Sequence, residues 1–182
     1  MTIVADPGRT EQIPEGMGKG TRIAATIFVI VTVAFWMFAF SPWARDMFQA
    51  PDQIEDEAYV AAIEDRCALA VAKIDTFPTP RSATGPNDRA DNLERVNAAL
   101  IQMRADLGNL EGGTIEDREL IQLWLADWDL YIEDRVNHVE RLRTEGDVRF
   151  LNTEHDGIFI AERLNGFGRV NEIRSCLPPG DL

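Results

Sequence analysis

Lysine occurs only twice in the chain, at Lys19 and Lys73, histidine only at His138 and His155, and serine only at Ser41, Ser82 and Ser175. No run of basic residues exists that could follow a phosphate backbone. The formal net charge of −13 strengthens that exclusion, because after Arg45 there are 28 Asp and Glu against 14 Lys and Arg. Such a surface repels nucleic acid and anionic headgroups, so nucleic acid is not an expected partner. The chain also lacks a Gly-rich phosphate loop, a Gly-x-Ser-x-Gly elbow and a His-Glu-x-x-His pair. No motif therefore points to an enzyme, and none implies a cofactor.

Against these absences stands one long hydrophobic run. From Ile23 to Ala44 the sequence holds 22 residues without a charge, flanked by Arg22 and Arg45. A helix of that length spans about 33 Å, enough for a hydrocarbon core of about 30 Å. Phe35, Trp36, Phe38, Phe40 and Trp43 crowd its second half, where rings favour the headgroup level, and Pro42 can close the helix. A cleaved signal peptide would want a small-x-small site, but Pro42-Trp43-Ala44 sets proline where the small residue belongs. The run is therefore expected to stay as an anchor in the bilayer. Arg9, Lys19 and Arg22 precede it and Arg45 alone follows closely, so the N-terminus is expected on the cytoplasmic side. The expected organisation is a disordered cytoplasmic tail (1–21), a transmembrane helix (22–45) and an extracytoplasmic helical domain (46–182).

Both cysteines, Cys67 and Cys176, lie beyond the span. They either bond to each other, as an oxidising compartment permits, or remain buried thiols. The bonded pair is the expectation. It would close a loop of roughly 110 residues and stabilise by about 4 to 5 kcal/mol in the chain-entropy account.

Within the domain, apolar residues recur at helical spacing three times. A first helix is expected from Pro51–Asp52 to about Ile74, with Asp52, Glu55, Asp56 and Glu57 at its positive end and Ile63, Cys67, Ala70, Val71 and Ile74 buried. The stretch 77–87 holds three prolines and reads as a surface loop. A second helix is expected from Asp88 to Leu107, burying Leu93, Val96, Leu100, Met103 and Leu107. Gly112-Gly113 then turns the chain, and Thr114 with Asp117 forms a capping box for a third helix over 115–144. Its inward stripe is Leu120, Trp124, Trp128, Tyr131, Arg135, His138 and Leu142. Beyond Gly146 the helical period fails, and the segments 148–151 and 158–160 flank an Asp156-Gly157 turn signal, so a short hairpin and an irregular tail are expected. The fold class is mainly α: a transmembrane helix plus a three-helix bundle with a C-terminal hairpin, stapled by one disulfide.

Three strings, WLADWDLYIEDR at 124–135, RFLNTE at 149–154 and VNEIRSCLPPGDL at 170–182, resemble an uncharacterised family of actinobacterial single-pass membrane proteins. Those proteins share a Phe/Trp-rich anchor followed by an acidic segment and a first cysteine. The resemblance implies a bacterial plasma membrane with the domain outside, and it implies no activity and no functional residues.

The most chemically loaded stretch is Trp124, Asp127, Trp128, Tyr131, Asp134, Arg135 and His138, much of it on one helical face. It reads either as a ligand or partner pocket or, more simply, as core aromatics with charged residues paired internally, Arg135 with Asp134 or Asp127. Asp134 and His138 stand four residues apart, but no matching Glu-x-x-His occurs elsewhere, so no metal is expected. The expected function is a non-catalytic interaction or accessory module at the outer face of a bacterial plasma membrane. Its partners would be the bilayer and another membrane or envelope protein, an arrangement that includes a subunit of a membrane complex. The alternative is an extracytoplasmic small-ligand binder or sensor that uses the aromatic face of the third helix.

Overall fold

Residues 19–39 and 52–181 are described by the computed structural model, which divides into two units, residues 1–49 and 50–182. In the first unit helix α1 runs Lys19–Ala39 over 21 residues. It starts slightly before the expected span. The rest of the expected tail, and the readings placed on residues 40–51, including Pro42, Trp43, Arg45 and Pro51, lie outside the described residues. Around α1 the large apolar side chains stand 42% to 71% exposed, and Thr32 returns its hydroxyl to the Phe28 carbonyl at 2.8 Å. Among the described residues no helix is long and apolar enough to cross a membrane. The described side chains 23–38 cover about 24 Å, while the full backbone helix rises about 32 Å.

The second unit is built on four helices, α2 (Glu57–Ile74), α3 (Pro86–Gly108), α4 (Ile115–Glu145) and α5 (Ile160–Val170). Its mainly helical class and its disulfide are as expected. Helices α3 and α4 are antiparallel: Arg143 meets Asp91 and Glu94, Arg135 meets Asn97, and Arg104 meets Asp129. The apolar stripes face inward, with Leu93, Val96, Leu100, Met103 and Leu107 on α3 each 1% to 3% exposed. The Thr114–Asp117 capping box forms as the sequence indicates.

Five expectations are corrected, the last being that α5 adds a fourth helix to the expected three-helix bundle. Helix α2 begins at Glu57 and not near residue 52, because Asp56 caps it by accepting from the Ala58 and Tyr59 amides. The preceding backbone is drawn elsewhere. Asp117 accepts from the Glu55 and Asp56 amides at 2.8 and 3.3 Å, and Asn171 accepts from the Ile54 amide at 2.7 Å. On α2 itself Val71 points outward at 39% exposure. The 77–87 loop is partly ordered, with a 3-10 turn over Pro80–Ser82 and Pro86 serving as the first residue of α3, a position that suits proline. The hairpin pairs β1 (Glu154–His155) with β2 (Ile158–Phe159), so the first strand lies after 148–151. Asp156 and Gly157 both take positive φ, 53° and 81°, and a two-residue turn of that kind sets 155 opposite 158.

Past the hairpin the chain does not remain irregular. Helix α5 buries Ile160, Leu164 and Gly168, and a Cβ at Gly168 would stand 2.7 Å from the end of the Leu177 side chain, which would have to shift. A 3-10 turn over Arg174–Cys176 then delivers Cys176 to Cys67, and the two are bonded with their Cα atoms 5.1 Å apart.

The apolar interior has two parts. The larger gathers Ile63, Cys67, Leu100, Trp124, Trp128, Leu164 and their neighbours from all four helices. A smaller cluster of Ala90, Leu93, Val139 and Leu142 lies between the start of α3 and the end of α4, with Val148 against it.

Candidate functional site

The seven residues singled out on the third helix all lie on α4, and the structure closes most of them into the core. Trp124, Trp128, Tyr131, Arg135 and His138 are buried, Asp127 is nearly so, and Asp134 is half-buried. The rings form a continuous edge-to-face chain: Trp124 to Trp128 at 6.1 Å, Trp128 to Tyr131 at 5.7 Å, and Tyr131 to Phe150 at 6.2 Å. Phe167 of α5 stacks on Trp124 at 5.2 Å. Offset and edge-to-face contacts of this kind add to area burial and fix ring orientation.

The charged members are satisfied within the domain, though not by the neighbours expected from sequence. Arg135 donates from Nε to Asn97 Oδ1 at 2.7 Å and from its two terminal nitrogens to both oxygens of Asp181 at 2.8 and 2.7 Å. Its partner is Asp181, far along the chain, and not Asp134 or Asp127. Burial disfavours the charged guanidinium, but the Asp181 fork and Tyr131 outweigh it and raise the pKa. Tyr131 is likewise raised, first by burial. Asp134 accepts from the Thr153 amide and hydroxyl at 2.7 and 2.8 Å, and Asp127 accepts from Arg163 Nε at 2.9 Å. Among the described residues no group of three or more His, Cys, Asp or Glu is placed to hold a metal.

Neither a protein family, nor a curated protein, nor a solved structure matches this chain. What the domain does must therefore be read from its own geometry.

His138 is a core histidine. Neither ring nitrogen has a hydrogen-bond partner, and the ring packs edge-on to Phe150 at 5.4 Å. Burial lowers its pKa, the fields of Arg89, Arg141 and Arg135 lower it further, and Asp147 opposes them. The indole nitrogens of Trp124 and Trp128 also lack acceptors. Each such orphan costs about 1 to 3 kcal/mol.

Two cavities border this region. One, of about 500 Å³, lies between α4 and α5 and is lined by Leu123, Trp124, Asp127, Ile158, Arg163 and Phe167 among others. The larger, of about 720 Å³, is lined by Arg89, Asp147, Val148, Arg149, Phe150, Leu151, Asn152 and Phe159. Two of its lining residues carry further orphans, the Arg89 Nε donor and the Asn152 Oδ1 acceptor, both buried beneath the cavity wall and not open to it. Sequence reading did not single out these residues. Arg89 sits one turn into a helix and Asn152 in a segment without period, and only the fold brings them to one cavity.

Proposed function

We propose that the protein is a membrane-anchored, non-catalytic interaction or accessory module whose helical domain stands at the outer face of a bacterial plasma membrane. The observation that carries this reading is α1, whose apolar side chains are exposed around the whole circumference. A helix apolar on all sides is stable in water only when covered, and lipid covers it most simply. The uncharged run continues in sequence to Ala44, which supplies the length a bilayer requires. The Cys67–Cys176 bond supports an oxidising surrounding. In the domain the reactive side chains of α4 are engaged in packing and internal pairing, which supports binding through a surface rather than turnover at a centre. The alternative of a ligand face along α4 has less support, because Trp128, Tyr131, Arg135 and His138 are closed off and only Trp124 and Asp127 reach a cavity wall.

The test is a Gln122→Cys variant expressed in intact bacterial cells, since Gln122 is exposed on α4 while both native cysteines are buried and bonded. A membrane-impermeant maleimide should label it without lysis, and the protein should stay in the membrane pellet through an alkaline wash. Labelling only after lysis, or release by the wash, would overturn the topology. The accessory role predicts a stoichiometric membrane or envelope protein after gentle solubilisation, and purification of the chain alone would count against it.

A further inference from the structure

Two hollows meet along the outer side of α4. One is lined by Ile115, Arg118, Glu119, Gln122 and Leu123; the other, between α4 and α5, shares Leu123 and continues to Asp127. From residue 115 to residue 127 the helix rises about 18 Å, a groove about three turns long. Ile115 and Leu123 stand 65% and 67% exposed and Ile158 and Val170 47% and 39%, beside the stacked rings of Trp124 and Phe167. Single exposed apolar side chains are ordinary, whereas several gathered around one groove mark an interaction face.

The rim has a one-sided charge. Asp52, Glu119, Asp127 and Glu162 stand against two guanidinium groups, Arg118 and Arg163. Both arginines are engaged internally, Arg118 with the Gly112 and Gly113 carbonyls at 3.3 and 2.8 Å and Arg163 with Asp127 at 2.9 Å. The carboxylates of Asp52, Glu119 and Glu162 have no hydrogen bond or ion pair among the described residues. Two copies of the chain meeting here would set one net-negative rim against another, and anionic headgroups are repelled in the same way, whereas a basic partner is attracted. A long open groove between two helices suits an amphipathic helix laid along it. Its frame is set in advance: the Thr114–Asp117 box fixes the start of α4, and Asn171 donates to the Asp52 carbonyl at 2.9 Å, so little ordering is needed on binding.

We propose that this groove docks a basic amphipathic helix of a partner protein, its apolar side over Leu123, Trp124 and Phe167 and its lysines or arginines toward Asp52, Glu119 and Glu162. This names the partner surface of the interaction module proposed above and rests on that reading.

The test uses the full chain in phosphatidylcholine nanodiscs, with bimane on Ala126→Cys, an exposed position of α4 beside the groove. The probe is a synthetic four-turn peptide with leucine along one helical face and lysine elsewhere. It should shift the bimane emission saturably, and peptides with alanine for leucine or glutamate for lysine should bind at least about tenfold more weakly. Leu123→Ser should weaken the lysine peptide by a similar factor with an unchanged circular dichroism spectrum. Glu119→Lys with Glu162→Lys should reverse the preference, so that the glutamate peptide binds more tightly. Because every titration uses the same discs, uptake of peptide by lipid cancels between parent and variant. Saturation absent below about 100 μM, or a preference for lysine that survives the double reversal, would overturn the proposal. So would bimane quenched by spin-labelled lipid before peptide is added, which makes the bilayer the occupant, or emission that shifts when two copies share a disc, which makes it a second copy. A failed titration removes the docking face and leaves the anchoring untouched, since maleimide access and the alkaline wash test that separately.

Discussion

At the end of the domain where α4 begins, the segments around residues 52–56, 112–117 and 171 are tied to one another. Asp117 receives amide hydrogens from residues 55 and 56 and from Thr114, and Asn171 holds both Ile54 and the Asp52 carbonyl. Gly112 and Gly113, at φ 133° and 68°, pass so close to Tyr59 that a Cβ on either would clash with its ring. Where α4 ends the picture reverses. A cluster of four buried residues stands in for the main core, the ion pairs are surface ones such as Arg89–Asp147 and Arg141–Glu145, and His138, Arg89 and Asn152 keep unmet hydrogen-bonding groups. Ligand-binding and moving segments are drawn from the less stable parts of a fold, and the larger cavity lies at this less tightly tied end.

The comparison can be broken most severely at the staple. Replacing both cysteines, Cys67→Ser with Cys176→Ser, should cost about 4 to 5 kcal/mol in urea unfolding, given a loop of 109 residues. A loss under about 1 kcal/mol would mean that the tightly tied region owes little to its covalent bond. Next comes Asp181→Ala, which leaves Arg135, with a side chain 0% exposed, as an uncompensated buried charge. That should cost about 3 to 5 kcal/mol, and a neutral result would show that Arg135 is held by Asn97 and water.

Asp117→Asn should cost about 1 to 3 kcal/mol, because an amide keeps one acceptor oxygen where the carboxylate uses two. Burial works against the charged form of Asp117, but bonds from Thr114, Glu55 and Asp56 prevail and hold its pKa below the ordinary value. Its stabilisation is thus fully present above the unfolded pKa of about 3.9 and is lost as pH falls through the lower folded value.

The smallest effect is expected from His138, in a different pH window. With a folded pKa below the unfolded value of about 6.5, the unfolded chain takes up its proton first. Stability should begin to fall as pH drops below that value and stop falling once the folded pKa is passed. Denaturant melts between pH 7.5 and 5 should show the slope, and His138→Leu should flatten it while leaving the more acidic loss due to Asp117. An unchanged slope would locate the titration elsewhere.

The helices α2 to α4 were legible because their core positions repeat locally. Leu93 through Leu107 and Trp124 through Leu142 announce their faces without reference to anything distant, and Thr114 with Asp117 announces a cap. Helix α5 was not, since Ile158-Phe159-Ile160 reads as a strand and Gly166 and Gly168 interrupt the period, although Gly168 packs closely against Leu177. At the candidate site the burial of the α4 aromatics was readable, but the partner of Arg135 was not. Asp181 lies 46 residues away, and charge pairing between separate segments leaves no periodic trace. The same holds for Arg89 and Asn152, which only the fold brings to one cavity wall.

The staple also imposes an order of events on biogenesis. Cys67 cannot find its mate until 109 further residues have followed it, which at ordinary synthesis rates is a wait of about 5 to 22 s. During that interval α2 is held only by whatever apolar contacts have already formed, and its free thiol is open to any oxidant or foreign disulfide it meets. The last turn of the fold therefore serves as its fastener, and a delay in delivering that turn prolongs the period in which a wrong bond can form.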